Sequence, residues 1–255
     1  MGFIDGHLHS VFLSYYDIEL MVHSSYDGFV TLAYTPIPPS NVGSLRDHFE
    51  HLMFEKTRCG GTGLRVYVGV GIHPRCIPSG DIGSYLGIVE EYLGNTDVLG
   101  EVGLETGSDV EVRVLEEQLR IAKRLDKPVI IHTPRANKHV ILRRIIDVVN
   151  NVGLPSELVV IDHLLPSPIL LDLIVGRGYW LGFTIQPGKV KAMDVLWVVK
   201  NYPESIDKII VNSDSGLYPC NPLAVKEAYE VLSEHMGKAD AYKLVSLNAV
   251  RFLKS

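Results

Sequence analysis

One pattern recurs eight times along this 255-residue chain: a short, apolar, β-branched segment followed by a stretch with helical character. The strand-like segments are GFIDGHLH at the start, GFVTLAY (28–34), RVYVGVG (65–71), DVLGEVGLE (97–105), PVIIH (128–132), LVVIDH (158–163), YWLGFTI (179–185) and KIIVNSD (208–214). Most are nearly continuous in hydrophobicity rather than alternating, as expected of parallel strands covered on both faces. Helix-like stretches lie between them, and two more close the chain. In 110–125, Val114, Leu115, Leu119, Ala122 and Leu125 recur at the spacing of one helix face. Gly176 and Gly178 read as a helix stop after the sixth strand. Eight such units predict an α/β fold, a (β/α)8 TIM barrel in a single domain over residues 1–255. A doubly wound open sheet competes less well, because no glycine fingerprint follows the first strand.

The first strand carries an unusual load. Asp5, His7 and His9 occupy every second position of DGHLH. Residues two apart in a strand share a face, with backbones roughly 6–7 Å apart. His7 and His9 are therefore expected to converge, with Asp5 beneath them as an acceptor for a ring N–H. Two histidines hydrogen-bonded at a barrel end would satisfy the same pattern. The other strands favour a metal centre. Glu101 lies in LGEVGLE, His132 ends PVIIH, His163 ends VVIDH and Asp214 ends IIVNSD. Each polar residue stands where an apolar strand runs out, on the face where barrel enzymes place their chemistry. A carboxylate in so apolar a strand as Glu101's is costly to bury without a compensating cation. Six nitrogen and oxygen ligands, with no thiolate, exceed what one tetrahedral ion needs. They suit two divalent ions, and Zn, Mn, Mg, Co or Ni would fit the ligand types. Such a pair activates water, so hydrolysis by a metal-bridging hydroxide is the expected reaction class.

Charge and cysteine content narrow the remaining classes. The net charge is −6, from 24 basic and 30 acidic residues. This gives no footprint for broad electrostatic binding to nucleic acid or anionic membrane. No apolar run approaches the length of a membrane span. The start lacks the basic region and apolar core of a signal peptide. Cys59, Cys76 and Cys220 are far apart and odd in number, which argues against a disulfide framework and for a reducing cytoplasm.

Taken together, these motifs resemble the TatD family of metal-dependent hydrolases, within the amidohydrolase superfamily. DGHLH matches the family's DxHxH opening, GIHP (71–74) its G(I/V)HP, and GEVGLE (100–105) its GE(I/V)GL(D). The late family acid corresponds to Asp214 in NSDSG, and the terminal N-x-x-R-x-(F/L) pattern to NAVRFL (248–253). HTPRANK, GFTIQPGK and VNSDSG are similar to an archaeal TatD-like branch. The resemblance implies a metal-dependent nuclease or phosphodiesterase, commonly a deoxyribonuclease, acting on DNA or a small phosphodiester. It implies that His7 and His9 hold one ion with Asp214, that His132 and His163 hold the second, and that Glu101 bridges them. It also implies Asp214 as general base and His73 as a residue that contacts the scissile phosphate or assists the leaving group. Two positions depart from the family pattern. Asn212 replaces the usual Glu two residues before the last acid, and Glu105 replaces the Asp of GLD. Both lie at or near the site. Related lactonases, phosphotriesterases and cyclic-amide hydrolases share the opening motif, but many bridge their ions through a carboxylated lysine. The fourth strand here offers Glu101 and no nearby lysine. A metal-binding barrel with little turnover is a third reading.

Arg135 and Lys138 follow His132, Lys189 follows the seventh strand, and Arg75 follows GIHP. On the expected catalytic face they would form a local cationic rim for phosphate. Tyr34, Tyr67, Trp180 and Phe183 read as core packing, and Tyr218 as a stacking residue for a base.

Overall fold

The computed structural model describes residues 2–217 and 220–254, so Tyr218 lies outside the described residues. Eight strands form one sheet in chain order: β1 (Phe3–Leu8), β2 (Tyr26–Leu32), β3 (Arg65–Val70), β4 (Val98–Gly103), β5 (Val129–His132), β6 (Val159–Ile161), β7 (Trp180–Thr184) and β8 (Ile209–Asn212). Every neighbouring pair is parallel. The end of β8 returns to β1. Asp214 N–H donates to His7 O at 2.9 Å, and His9 N–H donates to Ser215 O at 2.8 Å. The sheet is thus a nearly closed (β/α)8 barrel, as the eightfold pattern predicts.

The helices between the strands are α1 (Tyr15–His23), α2 (Val42–Gly60), α3 (Ile82–Leu93), α4 (Asp109–Leu125), α5 (Lys138–Val152), α6 (Pro168–Leu171) and α7 (Ala192–Asn201). Several start on side-chain caps that satisfy otherwise orphaned N–H groups. Ser14 and Asp17 form a capping box on α1, and Ser108 caps α4. Only one helical turn follows β6. Gly176 and Gly178 then take positive φ and turn the chain toward β7. Last come α8 (Ala224–Met236), α9 (Lys238–Tyr242), a π-helical segment (Lys243–Leu247) and α10 (Asn248–Phe252).

Strand side chains pack into two apolar layers. The inner one contains Ile4, Val30, Leu32, Val98, Ile130, Val160, Trp180 and Ile210, and Ala249 and Phe252 of α10 close it from below. The outer one includes Phe3, Leu8, Phe29, Leu99, Val102, Ile131, Ile161 and Val211 and packs against the helices. Each fully buried side chain of this size contributes about 1.5–3 kcal/mol by leaving water. Both faces are dry, which explains the unbroken apolar runs in the sequence.

Two strands break the regular alternation. On β1, Phe3 and Leu8 both join the outer layer although they are five positions apart, and the pairing with β2 shifts register between Asp5 and Leu8. On β4, Leu99 and Val102 are both outer, and the register with β5 shifts between them. A local irregularity of this kind re-aims side chains. Here it turns His7 and Glu101 into the mouth of the barrel.

Candidate metal centre

The mouth is built from strand ends held in place by outer residues. Arg58 of α2 donates to Ser10 O at 2.9 Å and pairs with the buried Glu55, fixing the turn after β1. Gln118 of α4 brackets Ile72. Its Oε1 accepts Ile72 N–H at 2.7 Å and its Nε2 donates to Ile72 O at 3.2 Å, which places His73. Glu111, also on α4, accepts N–H groups of Glu105, Thr106 and Gly107 at 2.8–2.9 Å and anchors the loop after β4. His163 and Asp214 take left-handed backbone conformations, φ 58° and 48°, where the chain leaves β6 and β8. Such values are uncommon outside glycine and cluster at functional sites.

Glu101 is the hub. Its Oε1 lies 2.8 Å from His132 Nδ1 and 2.9 Å from His163 Nε2. Its Oε2 lies 3.5 Å from His7 Nε2, 3.7 Å from His9 Nε2 and 3.5 Å from His73 Nε2. Asp214 Oδ1 is 3.2 Å from His9 Nε2 and 3.8 Å from His7 Nε2, and its Oδ2 is ion-paired with Lys189. All six strand-end residues singled out in the sequence therefore meet, and His73 joins them.

The outer partners dictate which ring nitrogen faces inward. His9 Nδ1 lies 2.9 Å from Leu32 O, a carbonyl that can only accept, so Nδ1 carries the proton and Nε2 points to the centre. His7 Nδ1 lies 2.5 Å from Asp162 Oδ2, with the same consequence. The two inward Nε2 atoms are only 3.3 Å apart. His73 is the opposite case. Its Nδ1 accepts the Arg75 backbone N–H at 3.0 Å, which leaves the proton on Nε2, facing Glu101.

Electrostatics follow from this crowding. Burial opposes the charge on Glu101, but His7, His73 and His132 outweigh it and hold its carboxyl well below the usual range. Burial likewise opposes the charged form of His7, yet Glu101 and Asp162 raise its pKa well above the ordinary value. Burial, with neighbouring His132, His9 and Arg75, drives His73 well below its ordinary value. It is a neutral hydrogen-bond donor at pH 7.

Three overlapping triads have ligand atoms mutually within 4.8 Å: His7–His9–Glu101, His7–His163–Asp214 and His73–Glu101–His132. They gather around His7 on one side and His132 on the other, with Glu101 between. The donor set is nitrogen and carboxylate oxygen, buried, with the tautomers of His7 and His9 fixed from outside. This fits a binuclear divalent-metal site.

Several expected placements change. Asp5 does not touch an imidazole ring. Its Oδ1 accepts the backbone N–H groups of His7 and Ser213 at 3.2 and 3.1 Å, because the β1 irregularity takes it off the His7 face. Burial pushes its carboxyl up to about 6. The ring partner of His7 is Asp162, which sequence reading passed over beside His163. The signal was present: Val160 is an inner-layer residue, so alternation places Asp162 inward too. Tyr34, read as core packing, lines the mouth with its ring 5.3 Å from His9 and 4.9 Å from His73.

Glu105 Oε2 lies 2.8 Å from His132 Nε2, and its Oε1 accepts from Arg75 at 3.0 Å. Asn212 Nδ2 donates to Asp162 Oδ1 at 2.9 Å. Arg75, Arg135, Lys138 and Lys189 all border one cavity of about 160 Å³, together with His9, His73, Glu101, His132, His163 and Asp214. Arg135 is exposed, whereas Lys138 is buried, its Nζ donating to Thr133 O and Oγ1 at 3.1 and 2.6 Å.

A parallel α/β barrel with a histidine–carboxylate centre at the carboxyl ends of its strands is the architecture of the amidohydrolase-type metal-dependent hydrolases. Within that class, the family model for TatD-related DNases matches residues 4–254, and the chain belongs to the TatD family. An uncharacterized metal-dependent hydrolase of Methanocaldococcus jannaschii is 34% identical over 217 residues, 84% of each chain. The crystal structure of a TatD-like protein from Archaeoglobus fulgidus superimposes with a TM-score of 0.82 at 33% identity, covering 99% of this chain and 100% of that one. The Escherichia coli TatD homologue YjjV shares the fold, with a TM-score of 0.66 at 20% identity over 98% and 97% of the two chains. Among the described residues no helix is long and apolar enough to cross a membrane.

Proposed function

We propose that this chain is a divalent-metal-dependent phosphodiesterase, a deoxyribonuclease of the TatD type, acting on DNA or a small phosphodiester. The observation that carries the reading is the pairing, in one cavity, of an acidic hub ringed by imidazoles with a wall of basic side chains. His7, His9 and Asp214 would hold one ion, His132 and His163 the other, and Glu101 both. Bound there, divalent ions supply a nucleophilic water near neutral pH and polarise the phosphoryl group.

The chain's own groups do the rest. Arg135, Lys138 and Lys189 attract and orient the phosphate. Arg75 lines the same wall and holds Glu105, which in turn accepts from His132 Nε2 and leaves Nδ1 facing Glu101. Asp214 takes the proton of the attacking water. His73, with its proton on Nε2, donates a hydrogen bond to a phosphate oxygen or to the leaving oxygen without giving up that proton. The three cysteines are unpaired, which supports a cytoplasmic location.

The test is a panel of substrates offered to enzyme reconstituted with Zn, Mn, Mg, Co or Ni. It comprises bis-p-nitrophenyl phosphate, single-stranded DNA, a lactone and a dihydropyrimidine. Cleavage of the diester and of DNA, lost in His132→Ala, is the expected result. Turnover confined to the lactone or the cyclic amide overturns the phosphodiesterase reading. Activity indifferent to His132→Ala removes the second ion.

A further inference from the structure

One buried carboxylate next to the centre has no part in the scheme above. Asp162 is completely buried at the end of β6. Its Oδ2 faces His7 Nδ1 at 2.5 Å. Its Oδ1 accepts the His163 backbone N–H at 2.7 Å and the Asn212 amide at 2.9 Å. The slot that receives it is shaped by a glycine on β7, since a Cβ on Gly182 would lie 2.2 Å from Asp162 Oδ1. Four strands, β1, β6, β7 and β8, thus converge on one carboxylate that can only accept, and every contact made to it is donated.

Asn212 is one of the two positions at which the sequence departs from the TatD pattern it resembles, which has Glu there. Its Nδ2 is used, while its buried Oδ1 has no hydrogen-bond partner among the described residues. The side chain therefore serves as a donor alone. A carboxylate at 212 would face Asp162 across the same short gap, and two like charges buried at that distance repel strongly. The pair makes sense as one acid and one amide. We propose that Asp162 is the positioning residue that orients His7 toward the metal centre, with Asn212 as its hydrogen-bond donor, and that the acid and the amide of this pair can be exchanged between positions 162 and 212. The inference rests on reading His7 as a ligand and is independent of the substrate.

The exchange predicts rescue. Zinc affinity is measured by competition with a chromophoric chelator for wild type, His7→Ala, Asp162→Asn, Asn212→Glu and the double variant Asp162→Asn/Asn212→Glu. Loss of the outer carboxylate should weaken binding by about 10–100-fold in Asp162→Asn. Asn212→Glu alone should also weaken it, through repulsion. The double variant, with one acid restored on the other side, should return to within a few-fold of wild type. A double variant no better than Asp162→Asn overturns the proposal, as does an Asp162→Asn protein that binds zinc like wild type. Wild-type affinity in His7→Ala would instead sink the ligand reading itself. Should Asp162→Asn fail to fold, the histidine 15N signals of the wild-type protein decide. His7 is expected to carry its proton on Nδ1, and a proton on Nε2 alone overturns the assignment.

Discussion

Lys138 shows how much a single residue's setting matters. Burial pushes its pKa down from 10.5 to about 7, with Lys189 and Arg135 adding repulsion that Asp162 and Glu105 only partly offset. The sign is clear: the ammonium is charged below about 7 and increasingly neutral above it. If it grips phosphate, wild-type kcat/KM for a diester should lose up to about tenfold per pH unit above 7 relative to Lys138→Arg, whose guanidinium does not titrate. Parallel pH profiles for the two proteins would remove Lys138 from the binding role. Glu101 poses the sharper test. It touches imidazoles on both sides of the centre, so Glu101→Gln should cost both ions affinity and lower diesterase activity by at least about 100-fold, more than an outer-shell change does. Metal analysis after dialysis checks this, and full occupancy in the variant would refute the bridging role. The six ligand candidates were legible because each stands at the end of an apolar strand. Asp162 and Tyr34 were harder, since an acid beside a histidine and an aromatic beyond a strand resemble ordinary second-rank residues.

The strands and helices largely match the sequence pattern, because hydrophobic runs of strand length and helical spacing are local properties. Irregularities within an element are less visible. The register shifts on β1 and β4 add no distinctive residue, yet they decide which side His7 and Glu101 face. At the end of β4, Gly103 has φ 154°, and a Cβ there would lie 2.4 Å from His132 O, a backbone atom. Gly103→Ala should therefore force β4 and β5 apart beside His132. The expected loss is about 1–3 kcal/mol of stability, with weaker metal binding, read by urea unfolding and by the chelator titration. A variant as stable as wild type with unchanged zinc affinity would show that the close approach of these strands is not needed.

In the whole molecule, stability and chemistry sit at opposite ends of the barrel, the usual division in this fold. The mouth holds the charged centre. The floor is sealed by α10, where Phe252 packs 5.8 Å from the Trp180 ring and Asn248 Nδ2 donates to Ile206 O and Ile209 O at 2.9 and 2.7 Å. Phe252→Ala should lower unfolding free energy by about 3–5 kcal/mol while zinc stoichiometry at 25 °C stays as in wild type. Equilibrium denaturation and metal analysis on the same preparation test both halves. Loss of metal without loss of stability would contradict the separation.

The amino-acid order was enough to establish eight strand–helix units, a barrel, and a ring of histidines and acids at its carboxyl end. Those features are written in runs and periods a few residues long, because alternation and helical spacing report directly which way a side chain points. The tertiary structure alone decided that Asp162 rather than Asp5 holds His7, that Lys189 pairs with Asp214, and which imidazole nitrogen each histidine turns inward. His7 and Asp162 are 155 positions apart. No local pattern encodes such a contact: it exists only once the sheet has curled round and brought strand ends from both halves of the chain to the same mouth.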